Sequence, residues 1–208
     1  MRLYLVRHGA VRPPRPDSYY GGSEVPLTEV GMGQALAAAD RLATSCLAAV
    51  VCSPSERARF GAEAICRGRG GASVRIETGL REVDRGDWAG RTRAEILRDR
   101  PGEIQAEAAA LETWNGHGGE SMGEMRLRVL EVRDRLLAEF REDQSIVIVS
   151  HLWPTRAILA DALGMPVSEW ARIDVPLGSI SLVEFGAAGA RVPWLGRTEQ
   201  TAAALREV

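Results

Sequence analysis

Apolar residues come in short runs of strand length along this chain, and each run gives way to a polar or glycine-rich segment. Leu3-Tyr4-Leu5-Val6 is the first, followed by Ala48 to Cys52, Ser73 to Glu77 and Ile146 to Val149. Ile180 to Phe185 and Arg191 to Leu195 read as a late strand pair joined by a turn at Gly186 to Gly189. Between the runs, apolar positions recur at helical spacing. Thr28 is placed to cap a helix reaching Leu42. Ser53, with Pro54 in the first helical position and Glu56 behind it, has the layout of a capping box. Helical patterning covers 92 to 114 with a break at Pro101-Gly102, Ser121 caps a long helix to Phe140, and a further helix follows His151 to Leu163. Residues 78 to 91 read as a charged loop. Strands alternating with helices predict βαβ units, hence an α/β fold around a mainly parallel sheet.

Composition narrows the picture. A chain of 208 residues with no linker, repeat or low-complexity segment reads as a single domain, 1 to 208. A formal charge of −2 argues against nucleic acid or an anionic membrane as partner, and no apolar stretch is long enough to span a bilayer. The first apolar run is too short for a signal peptide. Cys46, Cys52 and Cys66 are odd in number and lack metal or redox spacing, so they are expected to be small buried residues of a reduced, cytoplasmic protein. All 26 basic residues are Arg. With no Lys, pyridoxal Schiff-base chemistry, a P-loop lysine and a kinase lysine are excluded.

The chemistry gathers where strands end. Arg7-His8-Gly9 follows the first run, Ser150-His151 follows a later one, and Ser53-Pro54-Ser55-Glu56-Arg57 follows the run ending at Cys52. Open α/β sheets keep their ligands at carboxyl strand ends. Two His and two Arg brought there form a phosphate-handling set. Arg7 and Arg57 suit the clamping of phosphoryl oxygens, His151 adds a donor, and Gly9 lets the backbone approach closely. A neutral His8 imidazole can then attack phosphorus. A leaving alkoxide needs a proton, and Glu82, Asp84 and Asp87 in the charged loop can each supply it. Physics alone does not choose among them. Arg12, Arg15, Arg81 and Arg85 are solvated charges by default, with Arg81 among those able to receive a second anionic group of the substrate. His117, beside glycines, reads as a loop residue at the pocket rim, and Glu120-Ser121 as a helix cap with a structural hydrogen bond.

These blocks, taken in order, resemble the histidine phosphatase superfamily, the phosphoglycerate-mutase-like group. Arg7-His8-Gly9 is similar to its opening signature, and Pro26-Leu27-Thr28 with Gly31 and Gln34-Ala35 to the next block. Ser53-Pro54 with Arg57-Ala58 resembles the third. Leu80-x-Glu82 with Gly86, Trp88 and Gly90 resembles its acid-bearing loop, which favours Glu82. Gly118-Gly119-Glu120-Ser121 with Arg128-Val129, and Val149-Ser150-His151, resemble the last two. The wording of the loops is nearest to α-ribazole phosphate and broad-specificity phosphatases. The resemblance implies a three-layer α/β/α sandwich and a phosphohistidine on His8. It further implies Arg7, Arg57 and His151 on the phosphoryl group, Glu82 as acid/base, and neither metal nor organic cofactor. The sequence departs from the family at Ala10, Pro14, Phe60-Gly61 and Leu152-Trp153-Pro154-Thr155. The Leu152 N–H is still able to reach phosphate, while Trp153 and Pro154 are expected to narrow or stiffen the pocket edge.

The leading expectation is therefore a phosphomonoesterase acting on a small phosphorylated metabolite. A mutase that returns the phosphoryl group to its substrate and a catalytically silent phosphoester-binding protein are the alternatives. An exposed edge strand makes a homodimer a further expectation.

Overall fold

The structure, a computed structural model, describes residues 1–13, 15–67, 69 and 73–198. Pro14, one of the departures noted above, lies outside the described residues. Six strands form one sheet: β1 (Arg2–Arg7), β2 (Ala49–Cys52), β3 (Val74–Ile76), β4 (Ser145–Ser150), β5 (Ile180–Gly186) and β6 (Gly189–Arg197). Their order across the sheet is β3-β2-β4-β1-β5-β6. β3, β2, β4 and β1 run parallel, while β5 and β6 are antiparallel additions at one edge. The expected late hairpin and mainly parallel sheet are thus found.

Six α-helices connect the strands: α1 (Glu29–Leu42), α2 (Glu56–Cys66), α3 (Arg93–Asp99), α4 (Glu103–Ala109), α5 (Met122–Glu139) and α6 (Leu152–Leu163). Strand side chains alternate between two cores. Leu3, Leu5, Val51, Ile146 and Ile148 face α5 and α6. Tyr4, Val6, Val50, Cys52, Val147 and Val149 face α1 and α2. The result is a three-layer α/β/α sandwich. Both faces of the parallel strands are covered, which is why they read as continuous apolar runs rather than alternating ones.

Several local signals act as anticipated. Thr28 accepts the Gly31 N–H to start α1, and Ser121 forms a full capping box with Glu124 at the head of α5. The break at Pro101-Gly102 separates α3 from α4, with Gly102 in the left-handed region. Two expectations need correction. The cap of α2 is Ser55, not Ser53, and it makes no side-chain capping bond. Ser53 is diverted because its hydroxyl is engaged by His151. Cysteine burial also differs, since Cys52 is buried but Cys46 is exposed and all three thiols are free. Burial pushes the Cys52 thiol up to about 12, which leaves it unreactive. Among the described residues, no helix is long and apolar enough to cross a membrane.

Candidate active site

The strand register assembles the site. Arg7 of β1 pairs with Ser150 of β4, and Cys52 of β2 pairs with Val149, so three parallel strands end nearly level. The His8 N–H continues the ladder to the Ser150 carbonyl at 3.0 Å, and the Ser53 N–H does the same to Val149 at 3.0 Å. Consequently His8 and His151 stand side by side, with ring centroids 5.1 Å apart. Arg57 enters from the first turn of α2, as its sequence position implies.

Close backbone packing fixes the loop after β1. A Cβ on Gly9 would lie 2.0 Å from the Gly31 carbonyl oxygen, and one on Gly31 would lie 2.0 Å from that of Ala10. Two glycines interlock here, so the first turn of α1 presses against the loop carrying His8 and Gly9. The Gly9 carbonyl accepts from His8 Nδ1 at 2.7 Å. A carbonyl only accepts, so Nδ1 carries the hydrogen and Nε2 holds the free lone pair. Burial and the neighbouring guanidiniums lower the His8 pKa from 6.5 to about 3, keeping the ring neutral at pH 7.

His151 is fully buried, and its Nε2 meets the Ser53 hydroxyl at 2.7 Å. Ser53 Oγ also accepts the Ser55 N–H at 3.4 Å. When its own proton goes to Nε2, the hydrogen of a neutral His151 sits on Nδ1. Burial, then His8 and the two arginines, hold this imidazole well below its usual pKa.

The two guanidiniums are held by backbone carbonyls. Arg7 Nη1 donates to the Val175 carbonyl at 2.7 Å. Arg57 donates to the Ser23 and Gly21 carbonyls at 2.7 and 3.1 Å. Among the described residues the nearest carboxylate to Arg57 is Glu24, at 4.0 Å and more than half exposed. Arg57 is buried (1 % exposed) and stacks over the Tyr20 ring. Burial lowers both arginine pKa values, with Tyr20 and Glu82 opposing it. Three buried atoms of this cluster, Arg7 Nε, Arg57 Nε and His151 Nδ1, have no hydrogen-bond partner among the described residues. Buried polar groups left unpaired are rare and costly. Three nitrogens from three elements share that condition, an arrangement able to take up an anion.

Glu82 joins this group, whereas its two competitors do not. It is buried, and its Oε1 accepts from the Val83 N–H at 2.9 Å and the Trp153 N–H at 3.3 Å. Burial raises its pKa against the pull of Arg85, Arg7 and Arg57. Asp84 is exposed and turns back to the Gly86 N–H, while Asp87 is exposed and pairs with Arg100. A cavity of about 210 Å³ opens beside Glu82, lined by Arg7, Tyr19, Tyr20, Arg85, Leu152 and Trp153 among others. Leu152 and Trp153 thus both line the space beside Glu82. Pro154 sits in the first turn of α6, where the missing N–H costs nothing.

Arg81 is exposed and, like His8, Arg57 and His151, is not among the residues lining the cavity. Arg85 lines it instead, paired with Glu107 at 2.6 Å and stacked against Tyr19 and Trp153. Arg15 is engaged by Glu95. His117 is not at a rim but buried, stacked edge-on with Trp88 and Trp114 behind the acid loop. Sequence reasoning missed Ser53 and Tyr20 as site residues, while Arg85 is one of the four arginines of which one or two are able to receive a second anionic group of the substrate. Only the Tyr19-Tyr20 pair carried a visible signal, two aromatics in an otherwise polar, glycine-containing stretch. Among the described residues no group of three or more His, Cys, Asp or Glu side chains clusters as a metal site requires.

Known proteins are similar to this chain in sequence and fold. A bifunctional protein of Mycobacterium tuberculosis is 35% identical over 190 residues, covering 91% of this chain and 51% of its own length. This chain thus spans about half the length of that relative. A glucosyl-3-phosphoglycerate phosphatase of the same species is 35% identical over 176 residues, covering 81% of this chain and 78% of its own. Among solved structures, the α-ribazole phosphatase of Shigella flexneri superposes with TM-score 0.85 at 28% identity, covering 95% of this chain and 96% of that one. A mycobacterial glucosyl-3-phosphoglycerate phosphatase does so with TM-score 0.82 at 31% identity, covering 95% and 99%. The profile of the histidine phosphatase superfamily (branch 1) matches residues 3–198, and the chain belongs to that family.

Proposed function

We propose that this chain hydrolyses the phosphomonoester of a small metabolite through a phosphohistidine on His8. The observation that carries the reading is the set of buried, unpartnered nitrogens of Arg7, Arg57 and His151 around a neutral His8 whose Nε2 is free. The dianionic phosphoryl group supplies the counter-charge that neither arginine finds in a close carboxylate. Nε2 attacks phosphorus, the ester P–O bond breaks, and protonated Glu82 gives its proton to the departing alkoxide. Water then attacks the phosphohistidine, with the Glu82 carboxylate taking a proton, and inorganic phosphate leaves. Burial of Glu82 favours the protonated form that the first step needs. One relative supports the anion assignment: the mycobacterial glucosyl-3-phosphoglycerate phosphatase holds VO3 in one structure and inorganic phosphate in another. The cavity of about 210 Å³ beside Glu82 suits a small alcohol rather than a macromolecule.

The test is hydrolysis of p-nitrophenyl phosphate in EDTA, with acid-labile phosphate trapped on the protein. Turnover is expected without added metal and is abolished in His8→Ala. Arg57→Lys is expected to lose about 10²–10³-fold in kcat. Turnover by His8→Ala at the wild-type rate, or strict dependence on an added metal, refutes the proposal.

A further inference from the structure

We propose that Arg128, held by Glu120, is the positioning residue for Glu82: it fixes the loop backbone so that the carboxyl meets the leaving-group oxygen. This rests on the reading of Glu82 as proton donor. Arg128 reaches from α5 across the loop. Its Nη1 donates to the carbonyls of Gly79 and Arg81, both at 2.8 Å, and its Nη2 to that of Glu82 at 3.2 Å. Nε and Nη2 also bind the Glu120 carboxylate at 2.7 and 2.6 Å. Glu120 extends the clamp, its Oε2 accepting the Asp84 N–H at 3.0 Å and its own N–H donating to the Asp84 carbonyl at 2.9 Å. One ion pair thus engages the backbone at 79, 81, 82 and 84, on both sides of the acid.

The need for Arg is geometric. Only a planar fork with five donors can serve three carbonyls and a carboxylate together. The helix approaches closely enough for this because residue 79 is glycine, where a Cβ would fall 2.6 Å from a Val132 methyl. None of these hydrogen bonds reaches Arg7, His8, Arg57 or His151. Loss of the clamp should therefore impair proton delivery and leave phosphoryl binding and attack in place.

Kinetics on two esters test this. An alkyl phosphate needs its leaving oxygen protonated, whereas dinitrophenyl phosphate does not. Arg128→Lys is expected to lose about 10²-fold in kcat on the alkyl ester, with KM little changed. On the dinitrophenyl ester it is expected to stay within about threefold of wild type. In a Glu82→Gln background, Arg128→Lys should add no further loss on the alkyl ester, because both changes remove the same proton transfer. Equal losses on the two esters, or an additive loss in that background, overturns the inference. A Glu82→Gln enzyme that treats both esters alike removes the acid role itself and the inference with it. That failure shows in the single Glu82 variant, so the two are distinguishable. If Arg128→Lys does not fold by circular dichroism, Glu120→Gln, which releases the charge on the clamp, is held to the same criteria.

Discussion

At the scale of single residues, the site trades stability for chemistry, and His8 shows the exchange. Its ring is neutral in the folded protein because burial lowers the pKa from 6.5 to about 3. The unfolded chain therefore binds a proton that the folded chain refuses throughout that window. The stability so contributed is present above pH 6.5 and is lost as the pH falls toward 3. Glu82 works with the opposite sign, since a raised carboxyl pKa stabilises the fold at low pH and ceases to do so as pH rises. Comparing wild type with His8→Gln by urea unfolding isolates the imidazole, because Glu82 is common to both. Between about pH 7 and pH 5.5 wild type should lose roughly 1 kcal/mol more than the variant. An identical pH dependence would mean that His8 is not held neutral. Arg7, His8, Arg57 and His151 were legible from sequence because each closes a strand or opens a helix, where ligand sites form. The role of Ser53 was not, since a serine before Pro-Ser-Glu looks like a cap. Only the fold shows the imidazole, nearly a hundred positions away, that claims its hydroxyl.

Elements meet at the site through backbone contact, and glycine decides which contacts are possible. Gly31 and Gly33 both lie in α1, two positions apart. A methyl at Gly33 meets nothing within 4 Å, whereas one at Gly31 collides with the Ala10 carbonyl. Gly33→Ala should therefore stabilise by about 0.5–1 kcal/mol, from helix propensity and reduced unfolded-state freedom. Gly31→Ala should instead lower the Tm by several degrees and reduce kcat, because α1 must retreat from the loop that aims His8. Thermal melts and p-nitrophenyl phosphate turnover on the pair decide the matter. Equal behaviour of the two variants would remove the interlock. The helices and caps were readable because Thr28 and Ser121 act locally, on N–H groups three residues on. The loop from Thr78 to Arg91 was opaque beyond its charge. Its two 3-10 turns, Thr78–Leu80 and Gly86–Trp88, and the burial of Glu82 come with α5, α6 and the Gly119-Glu120 loop segment packed around it. No window of the loop alone contains those partners.

For the whole molecule, the parallel register is what turns four distant side chains into one site. The order β2-β4-β1 sets the ends of three strands level, so the loops after them converge at a single edge of the sheet. This also makes the site a global liability. Two guanidiniums enter low-dielectric surroundings held by carbonyls, with no carboxylate among the described residues nearer than Glu24 at 4.0 Å from Arg57, and removing such charges from water costs several kcal/mol each. An oxyanion that binds the folded state alone must return part of that cost to the entire fold. Vanadate or inorganic phosphate at about 100 times its Kd should add roughly 2.7 kcal/mol, which for a domain of this size raises the Tm by about 5–10 °C. Arg57→Lys keeps the charge but loses the fork and the bonds to Ser23 and Gly21, so its shift should be less than half as large. Chloride at equal ionic strength should give neither protein the shift. If chloride matches vanadate in wild type, the stabilisation is screening, and the claim that these strand ends enclose an oxyanion site fails.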